Sequence, residues 1–166
     1  LAAMVCAQTH GDDAVMLVLP ADHLIPDTEA YVSCALEAAR SALQGQLVVF
    51  GVHPTAPETG FGYIEVEQVS RTAQKALRFV EKPDAATAAQ YLSTGRYYWN
   101  SGMFCFTAGT ILQAFRDHCP EVIDAAERVM KSTQMTTQDT GSHKIQDHVL
   151  RFDAHTFSQQ PDISID

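Results

Sequence analysis

The sequence predicts an α/β fold: a Rossmann-like, mixed, mostly parallel sheet flanked by helices. Two apolar runs and the segment between them carry that expectation. Residues 14–19 (A-V-M-L-V-L) form an uninterrupted apolar run that ends at Pro20, and residues 47–50 (L-V-V-F) form a second. A run without alternation is what a strand buried on both faces looks like, as in a parallel sheet covered by helices. Between the runs, Asp27 or Thr28 can cap a helix to about Leu43, with Val32, Leu36, Ala39 and Leu43 on one stripe and Gly45 ending it. Strand, helix and strand in that order make a βαβ unit with a right-handed crossover. Ligands of such sheets collect at the carboxyl ends of the strands, here at residues 20–23 and 51–55.

The remaining elements follow in order. Residues 54–62 hold two prolines and two glycines and are expected to form a structured loop. Residues 63–69 alternate, with Ile64 and Val66 on one face and Glu65 and Glu67 on the other, which reads as a half-exposed strand. Residues 76–80 form another strand, broken by Glu81-Lys82-Pro83. Asp84 caps a short helix to about Leu92, and Gly95 terminates it. Residues 97–106 are aromatic and strand-like, interrupted by Asn100-Ser101-Gly102, and two helices follow over about 108–118 and 121–131. Residues 132–147 are polar and read as a loop. The alanine-rich start, residues 1–8, resembles the end of an amphipathic helix. The chain is therefore expected to be an interior segment of something longer.

Composition sets the outer limits. With 166 residues, 46% hydrophobic and 19% charged, the chain can bury a core and is too apolar for intrinsic disorder. No apolar run approaches the ~18 residues a membrane span needs. Eleven basic against 20 acidic residues give a net charge of -9, which would repel a phosphate backbone. Nucleic acid and anionic membrane are thus excluded as expected partners. The four cysteines (Cys6, Cys34, Cys105 and Cys119) are widely spaced, so they read as reduced, buried thiols of a cytoplasmic protein. The seven histidines show no metal-binding spacing.

Four places could carry chemistry. Asp22 lies just past a strand end, where α/β enzymes place magnesium ligands, though a loop aspartate fits the position too. Glu81-Lys82-Pro83 offers a carboxylate for vicinal sugar hydroxyls and a point charge for a phosphate, or simply a solvated ion pair. Asn100, in Trp99-Asn100-Ser101-Gly102, could bond hydroxyls in both directions, or could mark a bulge. Gly60-Phe61-Gly62 would let backbone approach a ligand, or could be an ordinary hairpin turn.

Taken together, these stretches resemble the mannose-1-phosphate guanylyltransferases of the sugar-nucleotide pyrophosphorylase class. The resemblance rests on V-L-P-A-D-H (18–23), F-G-V-H-P-T (50–55), E-T-G-F-G-Y-I (58–64), F-V-E-K-P-D (79–84) and Y-W-N-S-G-M-F (98–104), and Ser164-Ile165-Asp166 looks like the start of a further motif. It implies the nucleotide-diphospho-sugar transferase fold and an enzyme that makes GDP-mannose and pyrophosphate from GTP and mannose 1-phosphate. Asp22 then matches the magnesium-binding aspartate, which with Lys82 would be catalytic. Glu81 matches the contact to the sugar hydroxyls, Lys82 the contact to the sugar phosphate, and Asn100 and Gly62 match positions lining the mannose pocket. The glycine-rich triphosphate loop that opens the family and its second metal aspartate have no counterpart in these residues. The 166 residues are therefore expected to be the central part of one nucleotidyltransferase domain, inactive alone. A pyrophosphorylase for another sugar 1-phosphate and a non-catalytic sugar-phosphate-binding homologue are the alternatives, and homo-oligomerisation stays open.

Overall fold

A computed structural model describes residues 1–67, 73–132, 134–138 and 147–163, with the backbone alone for 134–138 and 147–150. The end motif read at 164–166 and the far end of the strand read at 63–69 lie outside the described residues. In chain order the elements are α1 (Ala2–His10), β1 (Val15–Val18), α2 (Thr28–Ala42), β2 (Val48–Val52), β3 (Gly62–Val66), β4 (Ala76–Glu81), α3 (Ala85–Thr94) and β5 (Tyr97–Thr107). They continue with α4 (Ala108–His118), α5 (Pro120–Lys131), β6 (Gln134–Gln138), β7 (Asp147–Arg151) and α6 (Ala154–Ser158). The chain divides into two compact units, Asp13–Thr107 and Leu1–Asp12 with Ala108–Ile165.

In the first unit a five-stranded sheet is organised around β5. The C-terminal half of β5 pairs with β1, from Val15↔Thr107 to Val18↔Phe104, and its N-terminal half with β3, from Tyr63↔Trp99 to Glu65↔Tyr97. Along its other edge runs β2, from Val48↔Cys105 to Val52↔Trp99, while β4 adds to β3. The α/β architecture with a helix-flanked sheet is as expected. The mostly parallel pairing is not, since every ladder among the described residues is antiparallel. The reason is topological. A βαβ unit fixes only the relative direction of β1 and β2, and β5 has inserted between them.

Burial corrects two further expectations. The run at 14–19 is not buried on both faces: β1 pairs on one edge only among the described residues, and Leu17 and Val18 are each 40% exposed. The apolar stripe of α2 is likewise turned outward, with Val32, Leu36 and Leu43 exposed. What packs is the alanine face, where Ala38 and Ala42 lie on Cys105 with Val48 and Phe50 against them. Small side chains let the helix sit close to the sheet, and the larger ones then have to point away. The same rotation leaves Cys34 exposed. All four cysteines are free, but only Cys105 is buried, and burial raises its thiol pKa.

Strand β3 is buried on both sides rather than half exposed. Ile64 and Val66 are buried on one face, and Tyr63 is fully buried on the other against Ala88 of α3 and Tyr97. Glu65 tolerates that face because Arg78 Nε lies 3.1 Å and Arg96 Nη2 3.5 Å from its carboxylate. The helix α3 is held as its caps require: Asp84 accepts from the Thr87 N–H at 2.7 Å, and Gly95 closes the helix at φ 67°.

The second unit is mainly helical. Met4 of α1, Leu112 of α4, and Ile123 and Ala126 of α5 form its core, with Phe115 and Met130 packed against it. Pro120 sits at the first turn of α5, where its missing N–H costs no hydrogen bond. The loop expected at 132–147 is replaced in part by strand: β6 and β7 pair antiparallel from Gln134↔Arg151 to Gln138↔Asp147. The partner strand lies beyond the polar stretch, so local composition could not reveal the pairing.

The Asp84 cap can be tested by pH. The Thr87 N–H, and then its hydroxyl, hold the Asp84 pKa below the usual aspartate value. A carboxylate with a depressed folded pKa contributes stability above its unfolded pKa, near 4, and loses it as pH falls through the folded value. Asp84→Ala should therefore lower Tm at neutral pH, and the gap to wild type should close on acidification below about pH 4. A pH-independent gap in thermal melts would mean that the ionised carboxylate is not what caps the helix.

Candidate functional site

The candidate residues meet through strand register. Gly51 of β2 pairs with Asn100 of β5, and Gly62 of β3 pairs with Glu81 of β4. The Tyr63↔Trp99 pairing sets Gly62 beside Asn100. The result is one row across four strands, Gly51–Asn100–Gly62–Glu81, on the sheet face opposite the one where Tyr63 and Tyr97 meet Ala88 of α3. The missing side chain of Gly62 is what lets the row close up. A Cβ there would lie 2.6 Å from Glu81 Oε2 and 3.5 Å from Asn100 Cβ. Gly51 leaves space in the same way: a Cβ on it would meet Tyr98 Cβ at 2.7 Å, so the Tyr98 side chain lies across it. Tyr98 in turn packs against His53, with ring centroids 4.6 Å apart.

Lys82 follows Glu81 at the end of β4. Among the described residues it is the one non-glycine in the left-handed region, at φ 44°, and its N–H donates to the Phe61 carbonyl at 3.2 Å. Such a backbone costs a lysine about 1–2 kcal/mol and persists only where the surroundings hold it. Here they do. Phe61 is braced edge-on by Trp99 at 5.1 Å, and the buried Pro83 follows. The Lys82 ammonium lies 3.4 Å from Glu81 Oε1, but both side chains are more than 60% exposed, so the pair is worth little and parts easily. The indole N–H of Trp99 is buried with no hydrogen-bond partner.

The Trp99-Asn100-Ser101-Gly102 stretch is indeed a bulge, and it is also part of the row. Gly102 sits at φ 69° and donates its N–H to Asn100 Oδ1 at 3.1 Å. A Cβ on Gly102 would lie 3.6 Å from Pro20 Cγ, so the segment just past β1 lies against the bulge. That contact brings the loop carrying Asp22 to the neighbourhood, two residues on. Asp22 itself is exposed and makes no hydrogen bond or ion pair among the described residues. The structure thus joins Gly62, Glu81 and Asn100 directly and Lys82 by adjacency, and it leaves Asp22 outside their contacts.

Sequence reading put Gly51 at a ligand-collecting strand end and Tyr98 inside a family motif, but named neither as a site residue. The part Gly51 plays lies in facing Asn100, a residue 49 positions away, which only the strand register reveals. No cluster of three or more His, Cys, Asp or Glu side chains able to hold a metal ion occurs among the described residues.

Comparison with known proteins shows what the chain as a whole is similar to. The profile of the nucleotidyl transferase family matches residues 1–144. The xanthan biosynthesis protein XanB of Xanthomonas campestris pv. campestris is 43% identical over 160 residues, covering 96% of this chain and 32% of that protein. A mannose-1-phosphate guanylyltransferase of Sinorhizobium fredii is 39% identical over 167 residues, covering 100% of this chain and 31% of its own. Among solved structures, a mannose-6-phosphate isomerase from Helicobacter pylori superposes with a TM-score of 0.82 at 32% identity, over 99% of this chain and 60% of that one. The chain spans about a third of the length of the curated relatives it matches.

The bulge beside Asn100 gives a direct test of the backbone. Gly102→Ala meets no clash, because 3.6 Å to Pro20 is ordinary contact, so its cost is the left-handed backbone alone. Urea unfolding should show a loss of about 1–2 kcal/mol for Ala and a smaller loss for Asn, which tolerates that region. No loss for either variant would mean that the bulge relaxes to negative φ.

Proposed function

Since the chain belongs to the nucleotidyl transferase family, we propose that it carries the sugar-phosphate side of an enzyme making GDP-mannose and pyrophosphate from GTP and mannose 1-phosphate. The observation that carries this reading is the row Gly51–Asn100–Gly62–Glu81, with Lys82 at its end. In it the Glu81 carboxylate accepts hydrogen bonds from vicinal sugar hydroxyls. Asn100 lines the same face, and Gly62 lets the sugar approach the backbone. The ammonium of Lys82 leaves its exposed partner Glu81 for the sugar phosphate, a weak pair giving way to a stronger charge-assisted contact. The names of the relatives support mannose as the sugar and guanosine as the nucleoside.

The reaction follows from this placement. An oxygen of mannose 1-phosphate attacks the α-phosphorus of GTP in line, and the bond to the β-phosphate bridging oxygen breaks with its electron pair leaving on pyrophosphate. Little covalent chemistry is required of the protein, whose task is to hold the attacking phosphate in place and offset charge. The family suggests a divalent metal, and we read it as magnesium. With a single carboxylate and no preformed cage among the described residues, Asp22 suits an ion that keeps several waters and is otherwise held by substrate phosphates. Magnesium bound there would neutralise charge on the phosphates. Among the described residues no helix is long and apolar enough to cross a membrane. The proposed setting is the cytoplasm, where the four free cysteines would stay reduced.

Two variants of the intact protein test the roles. Asp22→Asn keeps the shape of the side chain and removes its charge, so turnover should fall on the order of 10²-fold or more and the magnesium requirement should rise. Activity within a few-fold of wild type would reduce Asp22 to a loop residue. For Lys82→Ala, the KM for mannose 1-phosphate should rise strongly and that for GTP little. Equal effects on both substrates would assign Lys82 to the triphosphate instead.

A further inference from the structure

Ser101 lies next to the row and takes no part in it. Between the pairs Val49↔Phe104 and Gly51↔Asn100, β2 contributes only Phe50, whereas β5 contributes Ser101, Gly102 and Met103. A bulge of that size interrupts the ladder opposite Phe50. The Ser101 hydroxyl mends it from both sides, donating to the Phe50 carbonyl at 2.7 Å and accepting from the Met103 N–H at 3.2 Å. The residue before it closes the other side of the same turn, since Asn100 Oδ1 accepts from the Gly102 N–H at 3.1 Å. The place of Asn100 beside Gly62 is therefore set by a turn whose free end Ser101 ties to β2.

We infer that Ser101 is a positioning residue of the sugar-phosphate site: its hydroxyl locks the β5 bulge to β2 and so holds Asn100 in line with Gly62 and Glu81. The inference rests on the reading that this row binds the sugar phosphate. Ser101 acts through Asn100, so its loss should weaken sugar-phosphate binding while leaving the nucleotide alone. A hydroxyl that merely stabilises the strand would lower Tm without separating the two substrates.

The experiment uses the intact protein with Ser101→Ala, Ser101→Thr, Ser101→Cys and, as reference, Asn100→Ala. Each variant is measured for KM of mannose 1-phosphate, KM of GTP, kcat and Tm. Ser101→Ala should raise the KM for mannose 1-phosphate about tenfold, with that for GTP within about twofold, as expected when a half-buried hydrogen-bonding group is removed. Ser101→Thr, which restores the hydroxyl, should return to within about twofold of wild type. Should Ser101→Ala not fold, Ser101→Cys supplies the comparison, since its thiol keeps the volume but is a weak donor, and the same selective rise is expected. The inference is overturned if Asn100→Ala raises the sugar-phosphate KM while the Ser101 variants change only Tm, or if they move both KM values alike. If Asn100→Ala itself leaves the sugar-phosphate KM unchanged, the row is not the sugar site and the inference falls with that reading.

Discussion

The architecture of the sheet-bearing unit depends on one constraint: β5 has to serve three strands at once. Its two halves face different partners along one edge, β1 and β3, while β2 runs along the other. A strand of 11 residues with native twist does not stay in register with all three unless its backbone yields somewhere. It yields at residues 101–103, where Gly102 takes φ 69° and the bulge absorbs the mismatch with β2. The candidate site lies at that accommodation. Asn100 stands where the regular ladder stops, and its side chain is both a member of the row and part of what closes the turn.

The opposite face of the sheet keeps this arrangement rigid. Tyr91 of α3 stacks on Tyr97 with centroids 3.8 Å apart and leans on Tyr63 at 5.4 Å. Trp99 completes that layer and braces Phe61. At the far end of β3, Arg78 bonds Glu65 and donates from Nη2 to the Tyr97 hydroxyl at 2.8 Å. Burial raises the Tyr97 pKa, so the phenol stays neutral and can accept that bond. Aromatic packing and a shared ion pair thus fix β3, β4 and β5 together beneath the row. Strain at Lys82 and the unpartnered indole N–H of Trp99 are held in place by this framework.

Charge on the row is loosely held, in contrast to its backbone. The Glu81–Lys82 pair is exposed and screened, so it costs little to part. In a chain with 11 basic and 20 acidic residues, a cation that can leave its partner at low cost is well placed to receive a phosphate. In the proposed reading Glu81 is then free for hydroxyls. A pre-shaped backbone carrying mobile charge suits a ligand that is part polyol and part anion.

Much of the local structure was legible in the amino-acid sequence because it depends on neighbours along the chain. Asp27 and Asp84 cap helices, Gly95 ends one, Pro120 opens another, and the apolar runs are strands, since capping and turn chemistry act over three or four residues. The same holds for the motifs around Asp22, Gly62, Glu81, Lys82 and Asn100, which are recognisable as short words. Strand direction, the face a helix buries and the register of the sheet are decided by residues far apart in sequence. The apolar stripe of α2 was a sound signal of an amphipathic helix, yet close approach favoured Ala38 and Ala42 over Val32 and Leu36. Nothing local says that β5 inserts between β1 and β2, and that insertion makes the ladders antiparallel and sets Gly51 opposite Asn100. Sequence by itself therefore determined the elements and the candidate chemistry. Tertiary structure alone decided the pairing, because a site built across four strands exists only once their register is set.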